Sequence, residues 1–153
     1  MSPDCVLDFT IAIPTYNSAR RISAVIDRLK AQQGIEGIAW EILVVDNNST
    51  DETAAVIQEL QANWSASFPL RYHFEAEQGA AFARQKAIRE ARGVMVGFLD
   101  DDNLPAPDWL ASAHRFAKEY PQAGAYGGPI HGQFETEPPP GFEKIQVFLA
   151  IRD

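Results

Sequence analysis

Three consecutive aspartates, Asp100, Asp101 and Asp102, follow an apolar run that includes Val94, Met95, Val96, Phe98 and Leu99. Adjacent like charges repel, and drawing them even partly out of water is costly unless a cation or hydrogen-bond donors compensate. Two carboxylates with one residue between them, here Asp100 and Asp102, suit a hard divalent cation, Mg²⁺ or Mn²⁺, that keeps positions open for water and substrate phosphates. The competing reading is a solvated acidic turn that caps the next helix. Asp46 also closes an apolar run and precedes Asn47 and Asn48. It could accept hydrogen bonds from a base or ribose, or simply favour the neighbouring helix N-terminus together with Asp51 and Glu52. Tyr16, after Pro14, is either a turn residue or an aromatic surface on which a base stacks. Arg84 is either a phosphate or base ligand or a solvated helix charge.

Other metal and phosphate chemistries fail on spacing. A calcium loop would want an acid or amide at Leu104 and a glycine at Pro105. Neither GxxxxGK nor GxGxxG follows a strand. An aspartyl-phosphate phosphatase uses a strand-end DxD, but usually on its first strand, and here the motif falls on the fourth. His73, His114 and His131 show no ligand spacing with one another and read as structural.

The elements that must position these residues follow from periodicity. "FTIAIPTYN" predicts a strand that ends in a turn, and "SARRISAVIDRLKAQQ" predicts a helix with Ser18 as N-cap and Ile22, Val25, Ile26 and Leu29 on one face. "WEILVVDNN" predicts a strand covered on both faces, followed by a helix whose Ser49 and Glu52 have capping-box spacing. "LRYHF" predicts a third strand with Leu70, Tyr72 and Phe74 on one side, and "AAFARQKAIREAR" a third helix that stops at Gly93. "VMVGFLDDD" is the fourth strand, Pro107, Asp108 and Trp109 begin a fourth helix, and "GAYGGPI" is a candidate fifth strand. The alternation predicts an α/β fold with a mostly parallel sheet and helices on both faces. Ligands in such sheets bind beyond the carboxyl ends of the strands. "PTYN", "DNNSTD" and "DDDN" should therefore meet along one rim.

At 153 residues the chain is expected to form a single domain with a core over about 9–130, and an irregular, incomplete tail over 131–153 that contains Pro138 to Pro140. A formal net charge of -8 argues against a nonspecific nucleic-acid binder. The one cysteine, Cys5, makes neither an internal disulfide nor a zinc site. No apolar run approaches the roughly 18 residues of a membrane span, and the N-terminus lacks a secretory pattern, so the chain reads as cytoplasmic.

The ordered pieces "IAIPTYN", "EILVVDNNSTDET", "EQGAAFARQKAI" and "GFLDDDNLP" resemble the nucleotide-binding half of a family 2 glycosyltransferase with the GT-A (Rossmann-like) fold. The resemblance covers about residues 9–120, and "YGGPIHGQFE" with "FLAIRD" is similar, more weakly, to a cyanobacterial branch concerned with exported polysaccharide. It implies that Pro14, Thr15 and Tyr16 cradle a nucleotide, that Asp46 accepts a hydrogen bond from uracil, and that Arg84 lies by the base. Asp100 and Asp102 would meet the ribose and the divalent metal, with Asp101 as the less critical middle residue of the nucleotide-sugar site. The implied partners are a UDP-sugar and a saccharide or lipid-linked acceptor, used with inversion in polysaccharide or glycoconjugate synthesis. Peripheral membrane association at the inner face and homo-oligomerisation stay open.

The third motif departs from the family's NxGxxxARNxG, having Glu77, Gln78 and Gly79, then Arg84, Gln85 and Lys86. The family's general base, usually an aspartate, and its QxxRW-like motif are not recognisable, and neither Glu135 nor Glu137 sits in such a context. The expectation is a donor-binding portion. The rival readings are a nucleotide-sugar-binding or scaffold module with "IQVFLAI" as its interface, and a nucleotidyltransferase.

Overall fold

The structure, a computed structural model, describes residues 7–134 and 136–144. It divides into two compact units, 1–119 and 120–153. The first contains β1 (Leu7–Thr15), α1 (Ile22–Lys30), β2 (Trp40–Asp46), α2 (Thr53–Ala62), β3 (Leu70–Phe74), α3 (Ala80–Glu90), β4 (Gly93–Phe98) and α4 (Trp109–Glu119). The four strands form one parallel sheet in the order β3-β2-β1-β4.

Side-chain alternation along the strands builds two cores. On one face Phe9, Ile11 and Ile13 of β1 and Ile42 and Val44 of β2 pack with Ile22, Ile26 and Leu29 of α1, Ile57 of α2 and Leu110 of α4. On the other, Ala12, Leu43 and Val45 meet Ala83 and Ala87 of α3, where alanines let the helix approach closely. The first two crossovers step from β1 to β2 to β3, whereas the third returns past β1 to β4. With a fixed crossover hand, that reversal sends α3 to the opposite face and opens a switch point between the carboxyl ends of β1 and β4.

The local signals differ from these elements at identifiable places. β1 continues through Pro14 and Thr15, paired with Val45 and Asp46. Ser18 offers its carbonyl rather than its side chain to the start of α1, receiving the N–H groups of Arg21 and Ile22 at 2.9 and 3.0 Å. The capping box does not close: Ser49 Oγ accepts the N–H of Asn17, and Asp51 takes its place at α2 by accepting the N–H of Thr53. Helix α3 ends at Glu90, so Gly93 is not its cap but the first residue of β4. A Cβ at Gly93 would lie 2.4 Å from the backbone nitrogen of Thr10. The glycine is required by the approach of two strands.

No strand forms over residues 124–130, which are exposed. That stretch alternates poorly, and glycine costs a strand backbone entropy without adding packing. The described part of the second unit is otherwise irregular, with a 3₁₀ turn over Phe142–Lys144 and an edge-to-face contact between Phe134 and Phe142. Cys5, Glu135 and "IQVFLAI" lie outside the described residues.

Candidate nucleotide-sugar site

The turns after β1 and β2 are joined by side chain to backbone bonds. Asn17, at φ +51°, accepts the N–H of Thr50 through Oδ1 at 2.8 Å, and its own N–H donates to Ser49 Oγ at 2.9 Å. Ser18 N–H donates to Thr53 Oγ1, and Ala19 N–H to Asp51 Oδ2. The hydroxyl of Thr53, foremost, and the backbone N–H groups of Ala19 and Thr53 hold the Asp51 carboxyl below its ordinary range. A shallow depression lined by residues including Ser18, Arg20, Arg21 and Glu52 lies beside this junction. It includes neither Asp46 nor the acidic triplet, of which Asp100 and Asp102 are exposed.

Asp46, at the end of β2, is buried. Its Oδ1 accepts the N–H of Ser49 at 3.0 Å and its Oδ2 the hydroxyl of Tyr72 at 2.9 Å. Burial first, then the neighbouring carboxylate, pushes the Tyr72 phenol up to about 12. In register beside Asp46 stands Thr15. Thr15 Oγ1 crosses the switch point and donates to Asp101 Oδ2 at 2.6 Å, and Tyr16 N–H reaches the same oxygen at 3.4 Å. Arg21 approaches Asp101 Oδ1 at 3.4 Å. Asp101, expected as the spacer, is thus the triplet residue most tied into the fold.

Asp100 and Asp102 are exposed on the turn that follows the buried Leu99, whose N–H donates to Ala12 O. Arg84, on α3, donates to Asp100 Oδ1 at 3.1 Å, and its guanidinium lies 6.0 Å from the Phe98 ring centroid. Tyr16 presents its ring to solvent at 45% exposure. The fold therefore brings Thr15 beside Asp46, Thr15 and Tyr16 to Asp101, and Arg84 to Asp100.

Among the described residues no three His, Cys, Asp or Glu side chains are grouped to hold a metal. Two accessible carboxylates on one turn fit a cation that draws its other ligands from water and phosphate oxygens, as Mg²⁺ and Mn²⁺ do. Asp100 and Asp102 are the residues that would hold it.

The signature of Glycosyl transferase family 2 matches residues 10–147. The chain belongs to glycosyl transferase family 2. Its fold is the GT-A fold, present here as a fragment. Over 81% of this chain it superposes, at TM-score 0.65 and 24% identity, on 37% of a Staphylococcus aureus TarS 1-349 structure in complex with UDP-GlcNAc. The mannosyltransferase PcManGT from Pyrobaculum calidifontis, in complex with GDP-Man and Mn²⁺, is 33% identical at TM-score 0.64 over 76% of this chain and 34% of its own. The glucosyltransferase WfgD of Escherichia coli, named for its UDP-Glc donor and a GlcNAc-diphosphoundecaprenol acceptor, is 32% identical over 103 residues, 67% of this chain and 36% of that protein. A cyanobacterial relative, the uncharacterized glycosyltransferase alr2836 of Nostoc sp., is 34% identical over 104 residues, 68% of this chain and 31% of that protein. This family 2 chain spans between 17% and 45% of the length of such curated relatives. Among its described residues no helix is long and apolar enough to cross a membrane.

Several residues that build the rim carried no sequence signal of their role. Tyr72 was legible only as a face of β3, and Asn17 and Asp51 only as turn and helix-start residues. Gln32 is buried, and its Nε2 donates to Ala106 O at 2.7 Å while its Oε1 accepts the N–H of Leu110 at 2.9 Å. It anchors the exit of the acidic turn to α1, across 78 residues of sequence. Asn47 lay in view as a polar residue directly after a buried strand, which is the signal that could have singled it out.

Proposed function

We propose that this chain is the donor-binding portion of an inverting glycosyltransferase that takes a UDP-sugar together with Mg²⁺ or Mn²⁺. The observation that carries the reading is the meeting of Thr15, Asp101, Asp100 and Arg84 at the switch point, with Asp46 in register beside Thr15. Support for the donor comes from the UDP-sugar and metal named with its relatives, and GDP-Man on one of them makes the base a point to test. Pro14, Thr15 and Tyr16 would line the nucleotide, with the exposed Tyr16 ring as a stacking surface. Asp46 has lone pairs left for a base N–H after its two protein bonds. Arg84 would lie by the base, Asp100 and Asp101 by the ribose, and Asp100 and Asp102 at the metal.

A divalent ion held by Asp100 and Asp102 would supply positive charge to stabilise the diphosphate leaving group. The protein's share is to hold the acids at that position and to exclude alternative nucleotide poses by the fixed turns after β1 and β2. No general base is assigned to this chain. Acceptor chemistry, saccharide or lipid-linked, is proposed for the whole protein.

Thermal and urea unfolding with UDP and Mn²⁺ test the reading, with GDP alongside. Ligand at about 100 times its dissociation constant adds roughly 2.7 kcal/mol of stability. The shift is expected with UDP, and it is expected to vanish in Asp102→Asn, an exposed residue whose replacement leaves the free protein's stability nearly unchanged. No shift with UDP, or an undiminished shift in that variant, overturns the assignment.

A further inference from the structure

Asn47 is only 5% exposed, and all of its side-chain hydrogen-bonding groups are engaged. Nδ2 donates to Glu77 O at 2.7 Å and to Glu75 O at 3.4 Å, while Oδ1 accepts the N–H of Gly79 at 2.7 Å. These partners fix the amide's orientation, because carbonyls demand the nitrogen and an N–H demands the oxygen. Its backbone N–H donates to Thr15 O at 2.8 Å, so the same residue also grips the turn after β1.

Gly79 lies at φ +143°, a backbone conformation few side-chain-bearing residues adopt. Its carbonyl accepts the N–H groups of Phe82 and Ala83 at 2.9 and 3.3 Å and so opens α3. Five residues further along that helix is Arg84, 3.1 Å from Asp100. A continuous chain of contacts thus runs from the end of β2, through the Asn47 amide and Gly79, to the Arg84 guanidinium that pairs with Asp100.

We infer that Asn47 is a positioning residue: its amide latches residues 75–79 onto the end of β2 and thereby places the first turn of α3, and with it Arg84, for the nucleotide. This rests on the donor-binding reading above. The latch needs both polarities of an amide. An aspartate would still accept from Gly79, but it has nothing to donate to two carbonyls, and its charge would face their oxygens next to the buried Asp46 carboxylate.

UDP affinity in Mn²⁺, measured by calorimetry for Asn47→Asp, Arg84→Ala and the double variant, separates positioning from bulk stability. Asn47→Asp is expected to weaken UDP about tenfold, the scale of one lost buried hydrogen bond. In the Arg84→Ala background the same change is expected to have little further effect, since residues acting as one unit are non-additive. Equal losses in both backgrounds overturn the proposal. Amide exchange reads the latch without ligand. An aspartate keeps an acceptor for Gly79, but its repulsion of the Glu75 and Glu77 carbonyls should open the segment. Protection of Gly79 should therefore fall in Asn47→Asp at pH 8 and return as the carboxyl protonates, because the acid form regains one O–H donor for Glu77 O. Unchanged protection overturns the latch. Asn47→Ser supplies a neutral variant if Asn47→Asp fails to fold, with the same loss of UDP affinity and of Gly79 protection expected and no return at lower pH. Failure of the wild-type chain to bind UDP removes the donor reading, and the latch then stands or falls on the exchange of Gly79.

Discussion

Asp46 is a buried carboxylate that keeps its charge company with one backbone N–H and one phenol. Removing the phenol leaves Oδ2 without that donor, so Tyr72→Phe is expected to cost about 1 kcal/mol, the usual net worth of such a bond, and to loosen Asp46 in its proposed role toward the base. The pH dependence has a definite sign. The folded phenol is held at about 12, above its ordinary 10.0, so the folded state retains the proton more strongly than the unfolded chain. Its contribution is complete below pH 10 and is lost as the pH rises toward 12. Urea denaturation at a series of alkaline pH values should show that decline in the wild-type protein and a flatter profile in Tyr72→Phe.

At the other end of the strands, a network of charged groups holds four elements together. Glu41 in β2 is fully buried, accepting from Thr10 Oγ1 at 2.9 Å, from Arg71 Nη1 at 3.2 Å and from the N–H of Arg92 at 3.1 Å. Arg71 in turn donates to the carbonyl of Glu90 at the end of α3. Glu41→Gln removes the nearer and fully buried of the two carboxylates beside Arg71, leaving Glu90 Oε2 at 3.8 Å, and should destabilise the fold by about 3 kcal/mol in urea unfolding. Arg71 Nη2 also lies 3.0 Å from His73 Nε2. A guanidinium can only donate, so Nε2 accepts and the imidazole is neutral, with Nδ1 toward Glu90 at 3.6 Å. Burial lowers the His73 pKa; Arg71, Lys86 and Arg92 push the same way, and Glu90 opposes them. The unfolded chain therefore takes up the proton first, and stability should fall as the pH drops below 6.5. His73→Gln, which keeps an acceptor for Arg71, is expected to flatten that acid limb.

For the molecule as a whole, a formal net charge of -8 would repel a diphosphate, and in the proposed donor-binding reading the acidic triplet stands where the phosphates would arrive. Like charges in one place bind together when a cation or hydrogen-bond donors lie between them, and in the proposed site it is a cation. EDTA added to the complex with UDP and Mn²⁺ is thus expected to abolish the stabilisation by UDP, with unfolding returning to the midpoint of the free protein. A UDP-induced shift that persists in EDTA would place the nucleotide on Tyr16, Asp46 and Arg84 alone. The sheet's reversal at β1 makes this rim the crevice of the fold, which is why fold and chemistry point to the same place.

Short-range pattern in the sequence was enough to find the four strands and four helices of the first unit, because apolar spacing of two or 3.6 residues is a local property of the chain. The ends of elements were less legible: Gly93 looks like a helix stop, but its role is set by the backbone of Thr10 in another strand. Residues 124–130 read as a strand from composition, yet within them Ile130 alone takes part in a β-bridge, and a strand needs a neighbour along its whole ladder. Motif order also implied a shared site for Asp46, Arg84 and Asp100, of which the structure pairs Arg84 with Asp100. What only the tertiary structure decided was who holds whom: Thr15 to Asp101, Tyr72 to Asp46, and Asn47 to Gly79 across 32 residues. Hydrogen bonds of that kind depend on distance in space and on buried polar groups finding partners, and neither is written in the spacing of residues along the chain.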